Sequence, residues 1–236
     1  MKTNHQLQID VIEAIKWEPL LKQTKIAVEA NEGVITLSGI VDSFIKKSAA
    51  VNTTKKIGGV KALVEKIEIQ LNADHEKSDA EIAIGVLSAL KANKDIPVDT
   101  VQIEVEDGHV TLDGKLEWNH QKQAAQQSAS TVEGIKVLTN RIEIETDNPD
   151  DIEKGEIEQA IARNWALNNQ DIQVCVSGNK VTLKGTVHSF YQRDVAEKMA
   201  WNAPGVCVVN NELIIGDIKL SGHALQILLI LVSIKT

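Results

Sequence analysis

Three stretches decide the fold: Gly33-Val34-Ile35-Thr36-Leu37-Ser38-Gly39, Gly108-His109-Val110-Thr111-Leu112-Asp113-Gly114 and Asn179-Lys180-Val181-Thr182-Leu183-Lys184-Gly185. Each ends in Thr-Leu-x-Gly. The anchor glycines Gly39, Gly114 and Gly185 lie 75 and 71 residues apart. Twenty residues past each anchor stands another glycine: Gly59, Gly134 and Gly205. Twenty-five residues before each anchor stands an alanine: Ala14, Ala89 and Ala160. Three fixed offsets across three copies mark an internal repeat of about 70 residues, and a repeat outranks every other sequence signal.

Working outward, the pattern around each anchor gives the elements of one unit. Upstream, Leu7, Val11 and Ile15 fall four apart, as do Ile82, Val86 and Leu90, and Ile157 with Ile161. That spacing places them on one helix face. Ser78 with Glu81 reads as a capping box, and Asp150, Asp151 and Glu153 put negative charge at the third copy's helix start. Next come alternating runs: Ile26, Val28 and Ala30; Val101, Ile103 and Val105; Ile172, Val174 and Val176. Period two predicts a half-buried strand. The turn pairs Glu32-Gly33, Asp107-Gly108 and Gly178-Asn179 then predict tight hairpins, with Gly ahead of Asn in the third.

The anchor strand points Ile35 and Leu37 inward, matched by Val110 and Leu112, and by Val181 and Leu183. A second helix follows, with small residues in its middle (Ala49-Ala50, Ala124-Ala125, Ala196). Ser189 with Gln192 reads as its capping box in the third copy. The helix stops near Gly59, Gly134 or Gly205, the usual place for a C-terminal glycine. A third strand carries inward positions at Leu63, Ile67 and Ile69; Leu138, Ile142 and Ile144; Val209, Leu213 and Ile215.

The expected fold class is therefore α+β. The chain reads as three tandem αββαβ domains, each a three-stranded sheet with two helices on one face. The expected spans are 5–73, 78–147 and 151–216, followed by a tail over 217–236 that is almost continuously apolar from Ala224 to Ile234, interrupted by Gln226 and Ser233. Eleven residues fall short of the roughly 20 that a helical membrane span needs.

Composition fits thin two-layer units. Of 236 residues 43% are hydrophobic but only 3% aromatic, so the cores must be aliphatic. The net charge of −8 argues against a general nucleic-acid binder. Two cysteines make no disulfide framework.

The order αββαβ, the turn glycine, the Val/Ile-x-Leu-x-Gly strand and the third-strand pattern resemble the BON domain (bacterial OsmY and nodulation) family. Gly205, Val206, Val209, Leu213 and Ile215 carry the last part, as do Gly134, Ile135, Leu138, Ile142 and Ile144. The resemblance covers about residues 5–215. It implies a non-enzymatic binding protein of the bacterial envelope type. Its roles would be osmotic-stress protection, chaperoning or transport, and its partners anionic phospholipid, hydrophobic ligands or client proteins. It implies no cofactor and supplies no catalytic residue. Residues 1–8 are polar, with no apolar run behind them, so the sequence as it stands reads as cytoplasmic. The family's usual setting is periplasmic.

Site candidates are few. The first copy carries Lys46, Lys47, Lys55 and Lys56 beside Phe44, a basic helix suited to anionic headgroups or simply a solvated face. The structural glycines are Gly33, Gly39, Gly59, Gly108, Gly114, Gly134, Gly185 and Gly205. Trp17, Trp118, Trp165 and Trp201 share no repeat position, which suits packing between copies first, and equally a binding patch or ordinary packing. Cys175 and Cys207 align with polar residues of the other copies, so both are expected off the core face, as free thiols, a disulfide or a metal pair. The six histidines show no metal-ligand spacing, and no nucleophile, phosphate-loop or zinc motif is present. The acidic strand residues are expected on the solvent face, so no catalytic and no metal residues are assigned. The alternative reading is a protein-interaction scaffold or chaperone-like protein that uses open strand edges.

Overall fold

The structure is a computed structural model that describes residues 2–71, 77–145, 152–167 and 171–216. The first domain runs α1 (Asn4–Trp17), β1 (Lys25–Asn31), β2 (Val34–Val41), α2 (Phe44–Lys55) and β3 (Ala62–Ile69). In the second, α3 (Asp79–Ala92), β4 (Val101–Glu106), β5 (His109–Leu116), α4 (Asn119–Ser130), β6 (Val137–Asn140) and β7 (Glu143–Ile144) follow. The third contains α5 (Lys154–Arg163), β8 (Asp171–Ser177), β9 (Lys180–Val187), α6 (Phe190–Trp201) and β10 (Val208–Ile215). Each domain is the α+β unit read from the repeat.

In every sheet the anchor strand is central. β2 pairs antiparallel with β1 and parallel with β3, Leu37 lying opposite Val28. β9 does the same between β8 and β10. A parallel pair needs a crossover, and the second helix of each unit supplies it. The middle domain departs slightly. Its third strand breaks into β6 and β7, both paired to β5, and the pairing lapses at Arg141 and Ile142.

The cores are separate and aliphatic. Leu7, Val11, Ile15, Ile35 and Leu37 anchor the first; Ile82, Val86, Leu90, Val110 and Leu112 the second; Ile157, Ile161, Val181 and Leu183 the third. Ala50, Ala125 and Ala196 are fully buried, where a small side chain lets the second helix approach the sheet. Burying one of the Leu, Ile or Val side chains of these cores contributes about 1.5–3 kcal/mol.

The hairpins explain the reversed third turn. Glu32 (φ 50°) with Gly33 (φ 86°), and Asp107 (φ 51°) with Gly108 (φ 77°), are left-handed at both central positions, the type I′ pattern. In the third hairpin only Gly178 (φ 57°) is left-handed, which is the type II′ pattern and puts glycine first.

The two expected capping boxes differ in the structure. Ser78 and Glu81 form the full capping box. Ser189 accepts from the Gln192 backbone at 3.2 Å, but the Gln192 side chain accepts from the His188 amide instead, so the box is incomplete. Asp150, Asp151 and the tail lie outside the described residues, and Glu153 makes no side-chain cap.

Two expectations are corrected. Cys207 is buried, at 8% exposure, whereas Cys175 is exposed, and both are free thiols. Alignment misled because the Lys61 and Lys136 stems lie against the hairpin glycines Gly33 and Gly108. A lysine there covers apolar surface with its methylenes, and a cysteine in the same place is simply covered. Glu65 also leaves the solvent face. It lies opposite Leu37 on the helix-covered side of the sheet.

Candidate functional site

The first domain has an open cleft of about 200 Å³ between α1 and the edge strand β1. Its floor is Ile15, Leu21 and Val28, all buried, and its rim carries Lys16, Lys22 and Lys25, all exposed. Local chemistry builds the rim. Pro19 opens a single 3-10 turn after α1, and Thr24 closes it by donating to the Leu21 carbonyl at 2.7 Å. That turn turns Leu21 inward and leaves two apolar side chains outside: Trp17 is 83% exposed and Leu20 45%. The equivalent turn of the third domain, Trp165–Leu167, also buries its leucine and exposes its Trp165 at 83%.

The basic helix singled out in the sequence lies elsewhere. Phe44 packs against the core of the second domain. Lys46 pairs with Asp42 at 2.6 Å, and Lys47 pairs with Glu65 at 2.9 Å. The Lys55 charge acts on Asp194 of the third domain, while Lys56 is exposed. The structure therefore does not gather Phe44 and the four lysines on one free surface. It places Phe44 and Lys46 at a second cleft of about 200 Å³, shared by Asp42, Val132, Glu133 and Gly134, between the first two domains. The Lys46 ammonium, with help from the Ser43 hydroxyl, holds the Asp42 carboxyl below its ordinary range.

Aromatic residues join the domains pairwise. Phe44 joins the first to the second. Trp201 packs against the cores of both second and third, and Phe190 packs against the core of the first. Beside that last contact, partial desolvation raises the Asp194 carboxyl pKa and the Lys55 charge opposes the rise. Trp201 thus meets the expectation of packing between copies. Trp17 and Trp165 do not, and Trp118 is 45% exposed and stacks on His120 at 6.4 Å.

Sequence reading missed a clamp that recurs in all three domains. Eight residues past each anchor glycine, Lys47, Lys122 and Arg193 donate from the second helix to third-strand carbonyls of Ile67, Ile142 and Asn211. Glu65, Asn140 and Asn211 stand at one repeat position and accept the amides of Ile67, Ile142 and Leu213. The signal was present as a basic residue at a constant offset, but charge on a helix reads as solvent-facing.

Among the described residues, no cluster of His, Cys, Asp and Glu is arranged to hold a metal, and no helix is long and apolar enough to cross a membrane.

Three small αββαβ modules with a glycine-anchored central strand define a repeat protein of two-layer α+β modules. The chain belongs to the BON domain family, which it matches over residues 3–70, 78–146 and 149–217. It is similar to osmotically-inducible protein Y of Escherichia coli (strain K12), 28% identical over 124 residues, covering 51% of this chain and 62% of that protein. The match thus spans less than two thirds of that relative. Two solved structures align with 92% of the chain at 15% identity. They are the C-terminal domain of CdsD, a structural protein of the type III secretion system of Chlamydia trachomatis (TM-score 0.25, all of that chain covered), and a second CdsD structure (TM-score 0.24, 96% covered).

Proposed function

We propose that this chain is a non-enzymatic binding protein that engages anionic phospholipid surfaces through its first domain, in an osmotic-stress role like that named in its Escherichia coli relative. The observation that carries the reading is the exposed pair Trp17 and Leu20 beside Lys16, Lys22 and Lys25. An exposed indole suits the headgroup boundary, where its apolar body and polar N–H both find partners. Each nearby lysine contributes about 1 kcal/mol against an anionic leaflet, and salt screens that contribution. The second domain, with seven more acidic than basic residues over 76–149, is repelled by the same surface. Contact is therefore one-ended.

Co-sedimentation with vesicles tests this. Phosphatidylglycerol vesicles at low salt should carry the protein down, phosphatidylcholine vesicles should not, and Trp17→Ala should reduce the bound fraction. No binding to anionic vesicles at low salt overturns the reading.

A second reading has its own observation. Strand β10 is a sheet edge and exposes Val208 at 42% and Ile214 at 68%. An open edge of this kind accepts an added strand from a client protein. Suppression of a client's aggregation without lipid, lost in Ile214→Lys, would favour the scaffold reading over the lipid one.

A further inference from the structure

The aromatic residues that join the domains stand at the ends of second helices. In the first contact the start of one module's second helix meets the end of another's: Phe44, the first residue of α2, shares a cleft with Val132 and Gly134, just past α4. Trp201 ends α6 and packs on the second domain's core. Phe190 is the first residue of α6 and stands at the repeat position of Phe44. By that correspondence its socket on the first domain includes Ile57, the repeat equivalent of Val132 and itself packed on the first core. The charges agree with this placement, because the charge of Lys55, at the end of α2, acts on the Asp194 carboxyl of α6. The contacts therefore run first to second, second to third and third back to first.

Such an interface is heterologous, since knob and socket are different surfaces. Every chain holds one Phe190 knob and one first-domain socket, well over a hundred residues apart. Nothing in their chemistry distinguishes the chain's own socket from another chain's.

We propose that the docking of Phe190 on the first domain is a self-recognition surface that serves a second copy of this chain as well as its own. In the closed chain the knob fills its own socket, because tethering gives an effective concentration on the order of mM. When the closure opens, the third domain of one chain docks on the first domain of another, and the product is a domain-swapped assembly. Opposite charge at Lys55 and Asp194 sets the register of both forms. The inference stands apart from lipid binding.

Complementation between two full-length variants tests it. Phe190→Asp removes the knob and leaves the socket, whereas Ile57→Asp removes the socket and leaves the knob. Lys55→Glu serves as a second socket variant should Ile57→Asp lose its circular-dichroism signature. Each variant alone is expected to be monomeric by light scattering, at the 25.8 kDa of one chain, and more extended than wild type by small-angle scattering. An equimolar mixture is expected to double in mass. Adding Phe190→Asp to the socket variant is expected to return the mixture to single chains. A mixture that stays monomeric overturns the proposal, and so does a Phe190→Asp chain as compact as wild type.

Discussion

The ammonium of Lys47 on α2 donates to the backbone carbonyl of Ile67 on β3 at 3.0 Å, across the boundary between helix and sheet. The same nitrogen lies 2.9 Å from the Glu65 carboxylate, which in turn accepts the Ile67 amide. In the third domain Arg193 donates to the Asn211 carbonyl at 3.1 Å, and the Asn211 side chain donates back to the Arg193 carbonyl at 3.1 Å and to Glu197 at 2.9 Å. These bonds hold the third strand where its edge has no further strand to pair with.

Removing the clamp should loosen that strand first. Lys47→Met keeps the stem and deletes the donor, leaving Glu65 and a strand carbonyl without their cation. The expected loss is about 1–2 kcal/mol of first-domain stability. Amide hydrogen exchange should speed up over β3 more than over β2. Equal acceleration in both strands, or none, would show that the lysine only decorates the surface.

The anchor glycines and the third hairpin glycine should separate cleanly. Gly39 has φ 147°, and a Cβ there would overlap the Lys25 carbonyl oxygen of the neighbouring strand. Gly114 and Gly185 meet the carbonyls of Thr100 and Asp171 in the same way. Because the obstacle is backbone, relief needs strand movement, so Gly39→Ala is expected to cost about 3 kcal/mol or more. Gly178 has nothing within 4 Å of a would-be Cβ, and only its φ of 57° opposes substitution. Gly178→Ala should cost less, about 1–3 kcal/mol. Thermal unfolding of the two variants checks the ranking.

Opposite acid behaviour is expected at the two domain contacts. Asp42 titrates below its ordinary 3.8 because Lys46 donates to its carboxylate. A carboxyl lowered on folding contributes stability that is present above 3.8 and is lost as pH falls through the folded value. Asp194 is raised by desolvation despite Lys55, so its ionised form carries a cost that protonation relieves as pH falls towards 3.8. Carbon-detected side-chain titration should therefore place Asp42 below 3.8 and Asp194 above it. In Lys46→Met the Asp42 midpoint should move up. A midpoint that stays put would remove Lys46 as the cause.

Legibility follows from which residues repeat. The fold was readable because Gly39, Gly114 and Gly185 each fill a place where no Cβ fits, and because Val11, Val86 and Ile157 each face a core. Such constraints act within one unit and recur in every copy. The clamp also recurs, but it pairs a basic helix residue with a backbone carbonyl, and backbone partners leave no trace in sequence. Contacts between domains recur only in part: Phe44 and Phe190 share a repeat position that Asn119 occupies in the middle copy. The exposed turn at Trp17 was missed because helix periodicity predicts the buried Ile15 and says nothing about the side chain two residues past it.

Four tryptophans make that last difference measurable. Trp201 is partly buried between two cores, so Trp201→Ala removes contacts from the second and third domains together and should cost about 3 kcal/mol or more. Trp165 is 83% exposed, and Trp165→Ala should stay within about 0.5 kcal/mol of wild type. Acrylamide should quench Trp17 and Trp165 readily and Trp201 weakly, read from variants that each keep one tryptophan. Anionic vesicles should then protect Trp17 from acrylamide and shift its emission to the blue, with Trp201 unchanged. Should Trp201 prove as quenchable as Trp165 in the free protein, the contact between second and third domains does not persist in solution. Should Trp17 remain fully quenchable with vesicles bound, the chain meets lipid by another surface.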